Sequence, residues 1–261
     1  MKEIKTKIGD HYIHIGCGPK NLMKVIERNL QSFIYADNQH PDLVIKIEDG
    51  YGVGFKDYEV EIIKDQNQIS FQRADYLIKV DSEYKTAKIS VNDELALKHA
   101  LMNLFSSFIV YHNWGLLIHS SCAIEQEKAH LFAGQSGAGK STAARLSYPR
   151  KLLSDEATLL KITGEEVTIF NSPFRSELEA DYFKGNVSLA SIQILYQALQ
   201  NKRAKLEKSN ALLNLMDKVF FWPHSQEETK RILRLMTLLV KKVPVYELHF
   251  QKNNSFWELI S

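Results

Sequence analysis

Gly134-Gln135-Ser136-Gly137-Ala138-Gly139-Lys140-Ser141 is a complete Gly-x-x-x-x-Gly-Lys-Ser run, the pattern of a phosphate-binding loop. Its chemistry accounts for its residue types. Glycines let backbone N–H groups turn inward around phosphate oxygens, and a following helix starts with its positive end toward the anion. Lys140 supplies a mobile positive charge and the Ser141 hydroxyl can ligate Mg²⁺. The flanks agree, since His130-Leu131-Phe132-Ala133 reads as a strand and Ser141 to Leu146 as a helix. Gly134, Ser136, Gly137, Ala138, Gly139, Lys140, Ser141 and Thr142 are therefore candidate contacts for ATP or another nucleoside triphosphate with its Mg²⁺. A glycine turn without nucleotide is disfavoured because pattern and context hold together.

Upstream, the polar turn Glu125-Gln126-Glu127-Lys128 joins a strand at Gly115 to Ile124 to the strand that feeds the loop. Antiparallel pairing about that turn brings His119 opposite Ala133 or Gly134, at the loop's mouth, where it can orient a phosphate or adjust a catalytic carboxylate. A histidine hydrogen-bonded within the sheet is the plainer alternative. Downstream, Lys151-Leu152-Leu153-Ser154-Asp155-Glu156 is a short apolar strand ending in two acids. Asp155 and Glu156 beside a phosphate loop can hold Mg²⁺, or take the proton of an attacking hydroxyl, and can divide those roles. Ile162 to Val167 reads as a second hairpin, and Arg175, in Ser172-Pro173-Phe174-Arg175-Ser176-Glu177, is a candidate for neutralising transferred phosphate or an ordinary loop arginine.

The whole chain has 261 residues, 44% hydrophobic and 25% charged, with six prolines and twelve glycines, which excludes disorder, collagen-like repeats and mucin-like tracts. With 33 basic against 31 acidic residues, no global field attracts nucleic acid or an anionic membrane. The most apolar stretch, near Leu104 to Ile118, is interrupted by serines, His112 and Asn113, and the start of the chain lacks a signal-peptide core, so no membrane segment is expected. Two cysteines, Cys17 and Cys122, are too few for a secreted disulfide framework, and a reducing cytoplasm fits best.

Residues 1–93 show short alternating runs at 11–15, 43–47, 58–63, 68–73, 76–80 and 86–91, with one helix at 21–33, predicting a small, mostly antiparallel sheet. An amphipathic helix at 94–111 is taken to open a second domain, 94–261, in which strands alternate with helices. Helices are predicted at 210–221 and 226–240, then a strand at 243–250. The fold class expected is α/β (α+β), a phosphate-loop domain with a smaller α+β domain before it. Edge strands of that smaller domain suit capture of an extended peptide, with structural support of the second domain as the alternative.

Taken together, His119, the phosphate loop and Leu153-Ser154-Asp155-Glu156 resemble the catalytic domain of HPr kinase/phosphorylase, whose fold is shared with phosphoenolpyruvate carboxykinases. The resemblance covers roughly residues 115 to 260. It implies that Lys140 and Ser141 serve phosphates and Mg²⁺, that Asp155 is the catalytic base with His119 close by, and that Glu156 replaces the second aspartate of the usual pair. HPr kinases are often hexameric, so it also allows a homo-oligomer. The family's Ile-Arg-Gly-Leu-Gly segment has no counterpart, Ser172 to Glu177 occupying that stretch, which argues against HPr as the substrate. Gly115 to Ser120, the Ser-Pro-Phe loop, Val243-Pro244-Val245-Tyr246 and Ser255-Phe256-Trp257 look like the HPr-kinase-like proteins of peptide-modification gene clusters, some of which phosphorylate a precursor peptide on serine. The expected activity is thus phosphoryl transfer from Mg-ATP to a serine of a peptide or small protein. A nucleotide-gated binding protein and a carboxykinase-like enzyme are the alternatives.

Other features exclude classes or carry plainer readings. The chain lacks the Leu-Ser-Gly-Gly-Gln signature of transport ATPases and the Asn-Lys-x-Asp motif of GTPases. Gly50-Tyr51-Gly52-Val53-Gly54 has no strand–helix context and is a loop. His11 and His14 point to opposite faces of a strand. Lys202, Arg203, Lys205 and Lys208 read as a solvated helix face, and Phe220, Phe221, Trp222 and Trp257 as core.

Overall fold

The computed structural model describes residues 2–36, 39–176, 183 and 185–260. The chain forms two compact units, Met1–Tyr111 with Phe221–Glu228, and His112–Phe220 with Thr229–Ser261. The fold is mixed α+β, with strands predominating.

In the first unit, β1 (Lys2–Ile8), β2 (His11–Cys17), β3 (Leu43–Asp49), β4 (Glu61–Lys64), β5 (Gln68–Arg73), β6 (Tyr76–Asp81) and β7 (Thr86–Val91) form one sheet in the order β1-β2-β3-β7-β6-β5-β4. Pairing is antiparallel except for β2 with β3 and β3 with β7. The parallel β2–β3 step needs a crossover, which α1 (Lys20–Leu30) supplies, burying Leu22, Met23, Val25, Ile26 and Leu30. β1 was not among the expected strands, although Lys2-Glu3-Ile4-Lys5-Thr6-Lys7-Ile8 alternates throughout and buries Ile4, Thr6 and Ile8. Its outer side is bridged by Ile34, and Tyr35 N–H donates to Lys5 O at 3.2 Å. The strand expected at 58–63 is shorter and later, at Glu61–Lys64, and forms the other edge.

α2 (Glu94–Tyr111) belongs to this first unit, so the boundary expected between 93 and 94 falls after Tyr111 instead. The reason is local. Only Asn92 and Asp93 separate β7 from α2, and the Asp93 carboxylate caps the helix by accepting from Ala96 N–H at 2.9 Å. A connection that short folds the helix back on its own sheet. Asn103 Nδ2 then donates to the Tyr76 hydroxyl at 3.0 Å. Buried Arg73 forks onto Asp75 at 2.7 and 2.9 Å and lies 2.8 Å from His99 Nδ1 of α2. Burial, and then the Arg73 charge, push His99 down to about 4, which leaves Nδ1 free of a proton to accept from the guanidinium. The Gly50–Gly54 segment is a loop, as expected. Gly52 has φ +66° and a Cβ there would stand 2.1 Å from Ala74 O, so the backbones touch where only glycine fits.

The second unit contains β8 (Gly115–Glu125), β9 (Lys128–Ala133), α3 (Lys140–Leu146), β10 (Leu152–Ser154), β11 (Ala157–Ile162), β12 (Val167–Phe170), β13 (Asn186–Gln197), β14 (Lys202–Lys205), α4 (Lys208–Met216) and β15 (Val245–Phe250). α5 (Gln226–Lys242) begins in the first unit and continues in the second. β8 pairs with β11, β11 with β12, β12 with β13, β13 with β9, and β9 with β8, so these five strands close a ring. Beyond β13 the sheet continues through β15, in parallel, to β14 at the edge. Phe132 of β9 and Phe250 of β15 share one buried cluster with Phe256 and Trp257 of the C-terminal turn.

Three expectations change here. The basic run at 202–208 is strand β14 followed by the start of α4, because Lys202 to Lys205 ladder onto β15. The helix expected to reach Phe221 stops at Met216. Phe220, Phe221 and Trp222 are only half-buried, whereas Trp257 is core. Among the described residues no helix is long and apolar enough to cross a membrane.

Candidate functional site

β8 exchanges neighbours halfway along. From Ser120 to Glu125 it pairs with β9, Ser120 lying opposite Ala133, a register that, continued by one residue, sets His119 level with Gly134, one of the two positions expected. β9 then ends and the chain turns off into the phosphate loop. The place it leaves beside β8 is filled by Lys218–Phe220: His119 N–H donates to Lys218 O at 2.7 Å, Phe220 N–H to Leu117 O at 2.9 Å, and Ile118 bridges Val219. Such a parting of strands, at the carboxyl end of one of them, leaves a crevice in an α/β sheet.

The loop lies over that crevice. Residues Gly134–Ala138 line a cavity of about 590 Å³ together with the end of β13 (Ile194, Gln197) and Leu213, Asp217 and Lys218. Gln197 Nε2 donates to Gly137 O at 2.6 Å and Ser121 Oγ donates to Lys140 O at 3.0 Å, which tie the loop and the first turn of α3 to the sheet. The Lys140 ammonium is buried and donates to Gly134 O and Gln135 O, both at 3.0 Å. Burial and the neighbouring Lys218 charge push its pKa down, and Glu156 opposes them.

Gly139 is costly to replace. Its φ is +105°, and a Cβ would stand 2.7 Å from Phe250 Cζ, which is locked against Phe132 and Phe256. Gly139→Ala therefore adds an overpacked contact to a left-handed backbone, together about 2–4 kcal/mol. Gly137→Ala, at φ +78° with open space around the new Cβ, carries the backbone part alone, about 1–2 kcal/mol. Urea midpoints of the two variants check this; equal midpoints would contradict the packing contribution.

His119 is half-buried, with its ring 5.7 Å from that of Phe220. Burial above all, then the charges of Lys140 and Lys218, push it down to about 4, so it is neutral at pH 7. Folding disfavours its proton, so the unfolded chain binds more protons between about 6.5 and about 4, and stability falls as pH falls through that window. His99 and His130, also pushed down to about 4 by burial, act in the same sense. His119→Gln should flatten the decline of the urea midpoint between pH 7 and pH 4.5 relative to the parent; an unchanged decline would refute the assignment.

The acid pair is bracketed by a buried hydroxyl cluster. Ser154 Oγ lies 2.5 Å from Thr158 Oγ1, to which Ser120 Oγ also donates at 2.7 Å, so β8, β10 and β11 are fastened on both sides of Asp155 and Glu156. The two acids then diverge. Buried Asp155 accepts from Ser176 N–H at 3.1 Å and from Ser176 Oγ–H at 2.8 Å. Glu156 is the acid whose charge bears on Lys140. Arg175 is engaged with Ser172 O at 3.0 Å, Leu153 O at 3.1 Å and the Asn171 side chain, so its described bonds hold the 171–176 loop beside Asp155. Glu177 lies outside the described residues.

The structure thus gathers Lys140, His119 and Glu156 at the loop and sets Asp155 and Arg175 on the adjoining segment. Ser141 is exposed and Thr142 half-buried at the start of α3. Among the described residues no group of three or more His, Cys, Asp or Glu side chains is arranged to hold a metal ion. A cation bound with a polyphosphate does not require such a cage, because phosphates and water supply most of its ligands. Lys218, Gln197 and Ser121 were not expected at the site. Lys218 carried one signal, a lone cation among Leu215, Met216, Val219 and Phe220.

No curated protein matches the chain. The model of one family, described as SynChlorMet cassette protein ScmC, matches residues 85–261. That match spans more than half of the chain and takes in the loop, the acid pair and the Lys218 segment, so the protein belongs to the ScmC family of SynChlorMet cassette proteins.

Proposed function

We propose that the protein is a Mg-dependent kinase of HPr-kinase type that transfers the terminal phosphoryl group of ATP to a serine hydroxyl of a peptide or small protein. The observation that carries this reading is the complete phosphate loop at the parting of β8 and β9, with a neutral histidine and an acid pair beside it. The loop and Lys140 hold the phosphates, and Lys140 offsets charge that develops on them during transfer. Ser141 with Glu156 would hold Mg²⁺, which supplies further neutralisation of the phosphates when bound. Asp155 takes the proton of the acceptor hydroxyl as its oxygen bonds to the terminal phosphorus and the bond to the bridging oxygen breaks. The family's description as a cassette protein agrees with a chain that works beside other products of one gene cluster.

One observation favours the second reading, a nucleotide-gated binding protein. Both Asp155 oxygens accept hydrogen bonds from Ser176, as a structural acid would. Incubation with Mg-ATP and serine-containing peptides encoded nearby separates the two: ADP release with gain of one phosphate by the peptide supports the kinase, and tight ATP binding without turnover supports the second reading.

A further inference from the structure

α4 stops at Met216, Asp217 and Lys218 form a turn, and the backbone from Lys218 to Phe220 then bonds to β8 in the place that β9 gives up. Backbone pairing on both sides of Val219 fixes how Lys218 is presented. Its side chain is 7% exposed and lines the cavity with Gly134–Ala138. It is near enough to Lys140 and His119 for its charge to bear on both. The partner of its ammonium is Asp217, whose side chain is 62% exposed and stands on the same cavity.

Lys218 on the cavity wall and buried Lys140, bonded to Gly134 O and Gln135 O of the loop that lines the cavity, repel each other in a medium that screens poorly. Asp217, exposed and competing with water, and Glu156, whose charge bears on Lys140, offset only part of this. A multiply charged anion seated between the two cations would offset far more, through charge-assisted hydrogen bonds to each. We infer that Lys218 is a second phosphate-binding cation of this site, and that the site therefore selects a polyphosphate chain over a monophosphate. The inference rests on the phosphate-loop reading above.

Calorimetric titration of the full chain with ATP, AMP and inorganic tripolyphosphate, each with Mg²⁺, tests it. Lys218→Met should weaken ATP and tripolyphosphate at least about tenfold while changing AMP little, and Lys218→Arg should recover part of the loss. Asp217→Asn, which removes the competing carboxylate, should leave polyphosphate affinity unchanged or tighten it. If Lys218→Met binds tripolyphosphate like the parent while Lys140→Met does not, Lys218 is no phosphate ligand and the loop reading stands. If Lys140→Met also binds like the parent, the loop reading itself fails. If Asp217→Asn weakens binding as much as Lys218→Met, the pair is structural and the inference is overturned. Should Lys218→Met fold poorly, the ¹⁵N-lysine side-chain signals of the unaltered protein serve instead: two shifted Nζ resonances on adding tripolyphosphate support the inference, and one overturns it.

Discussion

Replacing Lys140 with alanine is expected to lower phosphoryl transfer by about 10²–10³-fold, the loss typical of removing one preorganised charge from a transition state. The side chain serves two ends at once. Its ammonium bridges Gly134 O and Gln135 O and so fastens the entry of the loop, and in the proposed reaction it would offset negative charge that builds on the transferred group. Both should be visible: a weaker nucleotide affinity from the loosened loop, and a lower single-turnover rate at saturating Mg-ATP from the missing charge. The unfolding midpoint, followed in parallel, separates these from general damage. Transfer near the parent rate would remove the phosphate-loop assignment.

Asp155→Asn should lower the rate at saturation by about 10²–10⁴-fold while nucleotide affinity stays within a few-fold of the parent. Asparagine keeps an oxygen for Ser176 N–H, and its amide N–H can donate to Ser176 Oγ in place of the bond that Asp155 accepts, so the 171–176 segment should stay in place while the basic oxygen is lost. Glu156→Gln should show the converse, weaker Mg-ATP binding with a smaller effect on the saturated rate, because Glu156 is the acid that bears on Lys140. If Asp155→Asn loses Mg-ATP affinity but transfers normally once saturated, Asp155 is a metal ligand and Glu156 becomes the candidate base.

What the sequence made legible was local. The loop, the strand before it, the hairpin that sets Ser120 against Ala133, and the acids after β10 all lie within about forty residues, and each is written in spacing or turn chemistry. What stayed hidden depends on partners far along the chain. β14 reads as a charged helix face until β15 is known to ladder with it. α4 carries helical residues past Met216, and only the free flank of β8 explains why it unwinds there and delivers Lys218. The boundary expected before α2 failed because a two-residue connection, more than the texture of the following sequence, decides which sheet a helix covers.

The exchange of neighbours along β8 also orders events in time. Its pairing with β9 closes a four-residue turn and can form early, as a hairpin does. Its pairing with Lys218–Phe220 joins residues roughly a hundred positions apart, and such distant contacts form slowly because the entropy of closing the chain is lost before the contact is gained. The walls of the cavity are therefore expected to be completed late in folding. On the proposed reading, a chain arrested before residue 218 would hold its Gly134–Ser141 loop in nearly final form and lack the Lys218 wall of the cavity, so that nucleotide binding would report that the distant flank of β8 has been paired.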